Sequence, residues 1–92
     1  MSRNDAVIEA FANGRALRAG NLSTDGQTLW SYNLQIAHRT EDGHIALGDY
    51  TSGGGQYVSQ TTSRHVGLAR FVADTIMLPE VYDGLVGARL PF

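Results

Sequence analysis

The stretch Leu29-Trp30-Ser31-Tyr32-Asn33-Leu34-Gln35-Ile36-Ala37-His38 alternates along its whole length. Trp30, Tyr32, Leu34, Ile36 and His38 fall on one side of an extended chain. Leu29, Ser31, Asn33, Gln35 and Ala37 fall on the other. Successive side chains of a strand point to opposite faces, so a period of two predicts a half-buried strand. The face carrying Trp30, Tyr32, Leu34 and Ile36 is expected to meet the core. Asn33 is the position at which a bend would interrupt it.

Upstream, Asp25-Gly26 reads as a hairpin turn, because glycine supplies the positive φ such turns need. It links the alternating stretch back to a strand over residues 16–24, in which Gly20 marks a bulge. Downstream, Glu41-Asp42-Gly43 makes a second turn, and residues 44–50 return as another strand. Gly53-Gly54-Gly55 belongs to a loop, since three glycines lose too much entropy inside a regular element. Residues 57–60 read as a last short strand.

Helices flank this meander. Val7, Ile8, Phe11 and Ala12 recur at helical spacing, with Ser2 or Asn4 as cap and Asn13-Gly14 as stop, which predicts a helix over residues 4–12. A second helix, from residue 63 or 64 to about 76, buries Val66, Ala69, Val72, Ala73 and Ile76 behind a Thr61-Thr62-Ser63 cap. Pro79 ends or restarts the chain, and residues 80–85 would form a further short helical turn. The apolar residues 88–92 either dock on the sheet or form an interaction tail. The expected architecture is α+β: one domain over residues 1–92, with a small antiparallel sheet of three to four strands. An N-terminal and a C-terminal helix pack on one face of it.

Composition narrows the function classes. The chain has 92 residues and a formal charge of −2, so it holds one core and lacks the basic footprint of a dedicated nucleic-acid binder. All seven basic residues are arginine, a side chain suited to fixed, forked contacts with carboxylates or phosphates. There is no cysteine, which removes disulfides and Cys-based zinc sites. No apolar run reaches the roughly 20 residues of a membrane span. The N-terminus carries no signal-peptide pattern, which points to the cytoplasm.

The candidate chemistry is sparse. His38 and His44 flank the second turn and would need Asp42 or Asp49 to make a metal site, but the spacing matches no recognised ligand set. Read plainly, they are strand-end histidines, and no metal or cofactor is expected. His65 lies near Ser59, Thr61, Thr62 and Ser63, yet a nucleophile needs a base and an orienting group in reach. Helix capping accounts for the same hydroxyls. The glycine run is neither a Walker loop nor a dinucleotide fingerprint. Arg15, Arg18 and Arg39 with Trp30, Tyr32 and Tyr50 would make a basic aromatic platform of the kind single-strand binders use. Leu34 and Ile36 on the same face argue for a core instead. Glu41, Asp42 and Asp49 are the only charged residues between positions 41 and 63. They form either solvated turns or an acidic surface that meets a basic groove on a partner.

One combination goes beyond composition. Trp30-Ser31-Tyr32-Asn33, then Ile36-Ala37-His38-Arg39, then Tyr57-Val58-Ser59-Gln60-Thr61-Thr62-Ser63-Arg64-His65 resembles a pattern in small proteins of phages and mobile elements. With its size and lysine-free composition, the chain is similar to the small anti-CRISPR proteins of Pseudomonas mobile elements, above all the type I-C inhibitors. The resemblance implies a non-enzymatic, stoichiometric inhibitor in the cytoplasm of a bacterial host. It would bind the Cas proteins of a type I surveillance complex (Cascade) as a monomer and block target DNA binding, without touching nucleic acid or membrane. Glu41, Asp42 and Asp49 would be its partner-binding residues. The alternatives are a phage accessory or regulatory module that binds nucleic acid through arginines, and a small enzyme using His65 with Thr62 or Ser63.

Overall fold

The computed structural model describes residues 3–50 and 60–89. Helix α1 spans Arg3–Ala12 and is followed by five strands: β1 (Leu17–Ala19), β2 (Leu22–Thr24), β3 (Thr28–Ser31), β4 (Leu34–Arg39) and β5 (Ile45–Gly48). Helix α2 (Gln60–Ala69), strand β6 (Thr75–Met77) and helix α3 (Pro79–Arg89) complete the described chain. The strands form one sheet in sequential order β1 to β6. Neighbours are antiparallel through β5, and β5 pairs with β6 in parallel. The fold is thus α+β, but the sheet is six-stranded and mixed, not an antiparallel one of three to four strands.

Local chemistry explains most elements. Val7 and Phe11 are fully buried along α1. The helix closes as expected at Gly14, whose φ of 73° is open to glycine at no steric cost. The Gly14 N–H donates to the Phe11 carbonyl (3.1 Å) and the Arg15 N–H to the Ala10 carbonyl (2.8 Å). That pair of bonds satisfies carbonyls a helix end otherwise leaves open. At the β2–β3 link, the Asp25 carboxylate accepts the N–H groups of Gln27 (2.9 Å) and Thr28 (2.8 Å). Gly26 takes a φ of 97° there, as the Asp-Gly signal predicts.

The alternating stretch does not run as one strand. It folds back at Tyr32-Asn33, and β3 and β4 become the two arms of a hairpin. Tyr32 adopts a φ of 57° and is about half exposed. The two-residue turn shifts the phase of the alternation by one: Ser31 pairs with Leu34 and Trp30 with Gln35, so Trp30 and Leu34, which strict alternation puts on one face, lie on opposite faces. The bulge in this sheet lies opposite Leu29, not at Gly20. Gly20, with a φ of 61°, instead sits in the tight link that splits residues 16–24 into β1 and β2.

Register fixes the two sheet faces. Leu22, Leu29, Ser31, Ala37, Arg39, Ile45 and Leu47 share one face through their pairings. On that face Ser31 bonds to α2 and Arg39 donates to the Phe11 carbonyl of α1 (2.6 Å). The opposite face carries Trp30, Gln35, His38, Ala46 and Gly48. There His38 Nδ1 lies 2.8 Å from the Tyr82 hydroxyl of α3. Helices therefore cover both faces, α1 and α2 on one and α3 on the other, rather than one face. The inward residues of β3 are Leu29 and Ser31, so the Trp30 and Tyr32 face is not the core face of this strand.

The second long helix also ends early. α2 stops at Ala69, and Ile76, placed in its stripe by spacing, belongs to β6 and is 47% exposed. Val66 and Ala69 are fully buried as expected. The short turn over residues 80–85 lies within α3. The expected strand over residues 57–60 and the glycine loop fall outside the described residues, except that Gln60 begins α2. The end of the tail, residues 90–92, lies outside them as well.

Gly48 sets how closely α3 approaches the sheet. A Cβ there would stand 2.5 Å from Tyr50 Cε2 and 2.8 Å from Tyr82 Cγ. The rings of Tyr50 and Tyr82 meet edge to face, with centroids 6.1 Å apart. Gly48→Ala should cost about 1–3 kcal/mol by overpacking. Gly67→Ala, in α2 with open space around the new methyl, should gain about 0.4–1 kcal/mol. Urea denaturation of the two variants would check both signs.

Candidate functional site

The acidic residues expected to bind a partner do not form one cluster. Glu41 and Asp42 occupy the exposed β4–β5 turn. Asp49 follows β5 at its other end, about 13 Å away at the strand's rise of ~3.3 Å per residue. Arg70 donates to the Asp49 carboxylate, and the Asp49 N–H donates to the Met77 carbonyl (2.9 Å).

The turn gains a different carboxylate. The Asp74 N–H donates to the Ile45 carbonyl (2.9 Å), and Asp74 Oδ2 accepts the Ile45 N–H (2.8 Å). These two bonds fix Asp74 beside the turn. Thr40, Asp42, His44, Asp74 and Thr75 line one shallow depression of about 470 Å³. The Thr40 hydroxyl lies 3.0 Å from Asp42 Oδ1, and His44 Nδ1 lies 3.4 Å from Asp42 Oδ2. The Thr40 bond, a backbone N–H and His44 together hold the Asp42 carboxyl below its ordinary range. Among the described residues no arginine pairs with Glu41, Asp42 or Asp74. Sequence reasoning missed Asp74 because the parallel β5–β6 pairing that brings it there has no local signature.

The histidines part company. His38 is buried against Tyr82, their ring centroids 5.6 Å apart, while His44 is exposed on the turn. Among the described residues, no three His, Cys, Asp or Glu side chains are grouped to hold a metal ion. The basic aromatic platform does not assemble either. Arg39 is turned against Phe11, with its guanidinium carbon 5.9 Å from the ring centroid, and Tyr50 is buried. Arg18 and Trp30 remain on the opposite face, and Tyr32 at the hairpin tip.

The hydroxyl and histidine cluster does meet in space, through a residue that sequence spacing left out. Ser31 Oγ on β3 lies 2.7 Å from His65 Nδ1 and 3.0 Å from Thr62 Oγ1 on α2. Thr62 and His65 sit three residues apart on a helix and so share a face. Thr61 and Thr62 lie within α2, so their expected role as caps ahead of the helix does not hold. Ser31 is fully buried, and its hydroxyl faces the helix, not a substrate. The arrangement clasps β3 to α2. Burial, and secondarily the charge of Arg64, push the His65 imidazole below its ordinary pKa.

Two outcomes test this clasp. Ser31→Ala leaves two buried polar partners short of a bond and should cost about 1–3 kcal/mol in denaturant unfolding. The unfolded His65 takes up a proton near pH 6.5, whereas the folded imidazole does so only at lower pH. Its contribution to stability is therefore present above about pH 6.5 and is lost as pH falls below it. A pH series of unfolding midpoints should show that fall, reduced in His65→Gln.

No described helix is long and apolar enough to cross a membrane. Compared with known proteins, the chain matches no family model, no curated protein and no solved structure.

Proposed function

We propose that this chain is a non-enzymatic inhibitor that binds a type I CRISPR surveillance complex stoichiometrically and blocks its access to target DNA. The class comes from the likeness of its Trp30–Arg39 and Tyr57–His65 segments to small proteins of phages and mobile elements, and of the whole chain, in size and lysine-free composition, to type I-C anti-CRISPR proteins. The observation that carries the reading is the acidic end of the sheet. Glu41, Asp42 and Asp74 are exposed there, and no described arginine neutralises them. A DNA-binding channel is basic by necessity, because it must neutralise phosphates. A protein that sets carboxylates into such a channel gains complementary charge and obstructs the strand.

The formal charge of −2 is too small for the whole molecule to imitate DNA, so the contact is a local patch with steric exclusion. Asp49 contributes less than the turn, since Arg70 already offsets its charge. The edge segment that runs from Asp74 past Asp49 also supports a protein partner. Ile76 and Leu78 of this β6 segment, and Val81 of α3, are exposed large apolar side chains. Apolar centres with charged rims characterise protein interfaces. The chain acts in this reading as a monomer in the bacterial cytoplasm, with Cas subunits as partners and no cofactor.

The test is a target-DNA gel shift with purified type I-C surveillance complex, with and without this protein. Loss of the shifted band, with the protein co-eluting on the complex, is the expected result. Glu41→Lys with Asp42→Lys should then restore DNA binding by about tenfold or more, the scale of lost close charge pairs at an interface. An unchanged shift without co-elution would overturn the proposal. A shift of DNA by this protein alone would favour the nucleic-acid module.

A further inference from the structure

A second polar site lies on the other side of the clasp, away from the acidic end. A surface cavity of about 360 Å³ is lined by Arg3, Asn4, Ala19, Gly20, Asn21, Thr61 and His65. Every polar side chain in that lining can donate a hydrogen bond, and no carboxylate is among them. The cavity also receives the N-terminal turns of both helices on this face. Arg3 and Asn4 begin α1, and Thr61 is the second residue of α2. Each of these helices is 10 residues long. The first turn of a helix presents N–H groups without intrahelical partners and a partial positive charge.

His65 gives the cavity its floor and its direction. The side chain is 98% buried, being only 2% exposed. Its Nδ1 is engaged by Ser31, and among the described residues nothing bonds to Nε2. The ring therefore offers Nε2 to the cavity it lines. A hydroxyl relay decides what that atom does. When Thr62 donates to Ser31 and Ser31 donates to Nδ1, the neutral ring carries its proton on Nε2. An acceptor placed in the cavity selects this arrangement, and Nε2–H becomes a preoriented donor.

We propose that this cavity binds a small oxyanion, a phosphate monoester or a carboxylate, held by His65 Nε2–H and the Arg3 guanidinium. The Asn4 and Asn21 amides and the Thr61 hydroxyl complete its hydrogen bonds. The site is for binding and not for nucleophilic chemistry, because Ser31 is fully buried behind the imidazole. Arg64, which raises the positive potential at His65, adds to the attraction. Helix N-termini and a fixed arginine fork are the two recurrent ways proteins hold such groups. The proposal is independent of the inhibitor reading, since it involves none of Glu41, Asp42 and Asp74.

The experiment is an NMR titration of the full chain, following the His65 ring protons and the Asn21 amide. Inorganic phosphate and acetate are added separately, with sodium chloride at matched ionic strength as reference. Saturable shifts of both reporters with phosphate, acetate or both, absent with chloride, are the expected result. The stronger of the two identifies the source. Arg3→Gln, at an exposed position, should weaken binding about tenfold, the scale of one charge-assisted hydrogen bond. Asn21→Asp, which places a carboxylate in the cavity, should abolish it, with thermal unfolding unchanged in both variants. Shifts that do not saturate, that chloride reproduces, or that survive both substitutions would overturn the proposal.

Discussion

Ser31 has no route to water, yet it carries a hydroxyl, and the fold must supply its partners. A buried polar group left unpaired costs about 1–3 kcal/mol, a sizeable part of the net stability of a domain this small. His65 and Thr62 meet that requirement from α2, more than thirty residues away in sequence. The bonds fix the rotation of α2, because only one helix face carries both groups. They also fix the register of β3, since a slip of one residue would turn Ser31 to the other face and leave the histidine unpaired. Val66 and Ala69, on the same helix, are thereby delivered to the apolar core beside Leu47 and Phe11.

The opposite face depends on a second close contact. Gly48 lets Tyr82 settle against β5, where its hydroxyl meets His38 and accepts from Gln35 Nε2 (3.3 Å). The Tyr50 hydroxyl donates to Asp83 on the same helix, and burial beside that carboxylate pushes its pKa up. The sheet is thus held from both sides by apolar packing combined with a few directional bonds. This leaves the strand ends, the β4–β5 turn and the Gly20-Asn21 link, as exposed polar surfaces. Both proposed binding regions sit at such ends, where side chains can be charged without disturbing the core.

Several elements were legible because their causes are local. The periodicity of α1 and its Gly14 stop, the Asp25-Gly26 link and the Glu41-Asp42-Gly43 turn each follow from residues within a few positions of one another. The reversal at Tyr32 was hidden for an equally physical reason. Tyr32 and Asn33 continue the apolar–polar alternation of the letters, so nothing in the pattern marks the exchange of faces at the turn, and tyrosine is a rare occupant of positive φ. The end of α2 was hidden because Val72, Ala73 and Ile76 continue its spacing after the helix has stopped. For the acidic site, Glu41 and Asp42 were read directly from their turn, whereas Asp74 needed the β5–β6 pairing to arrive there.

By itself the sequence determined that helices and strands mix, the antiparallel turns at Asp25-Gly26 and Glu41-Asp42-Gly43, and Val7, Ile8, Phe11, Val66 and Ala69 as core residues. Those are consequences of spacing, turn chemistry and helix stops, which act over a few residues. Only the tertiary structure decided that a sixth strand joins in parallel and that helices cover both faces. It also decided that Ser31 faces His65 and that Asp49 pairs with Arg70 while Asp74 joins the turn. Each of these pairs residues far apart in the chain. Such pairings are chosen by the burial of apolar surface and the satisfaction of buried polar groups across the whole molecule, which no local window contains.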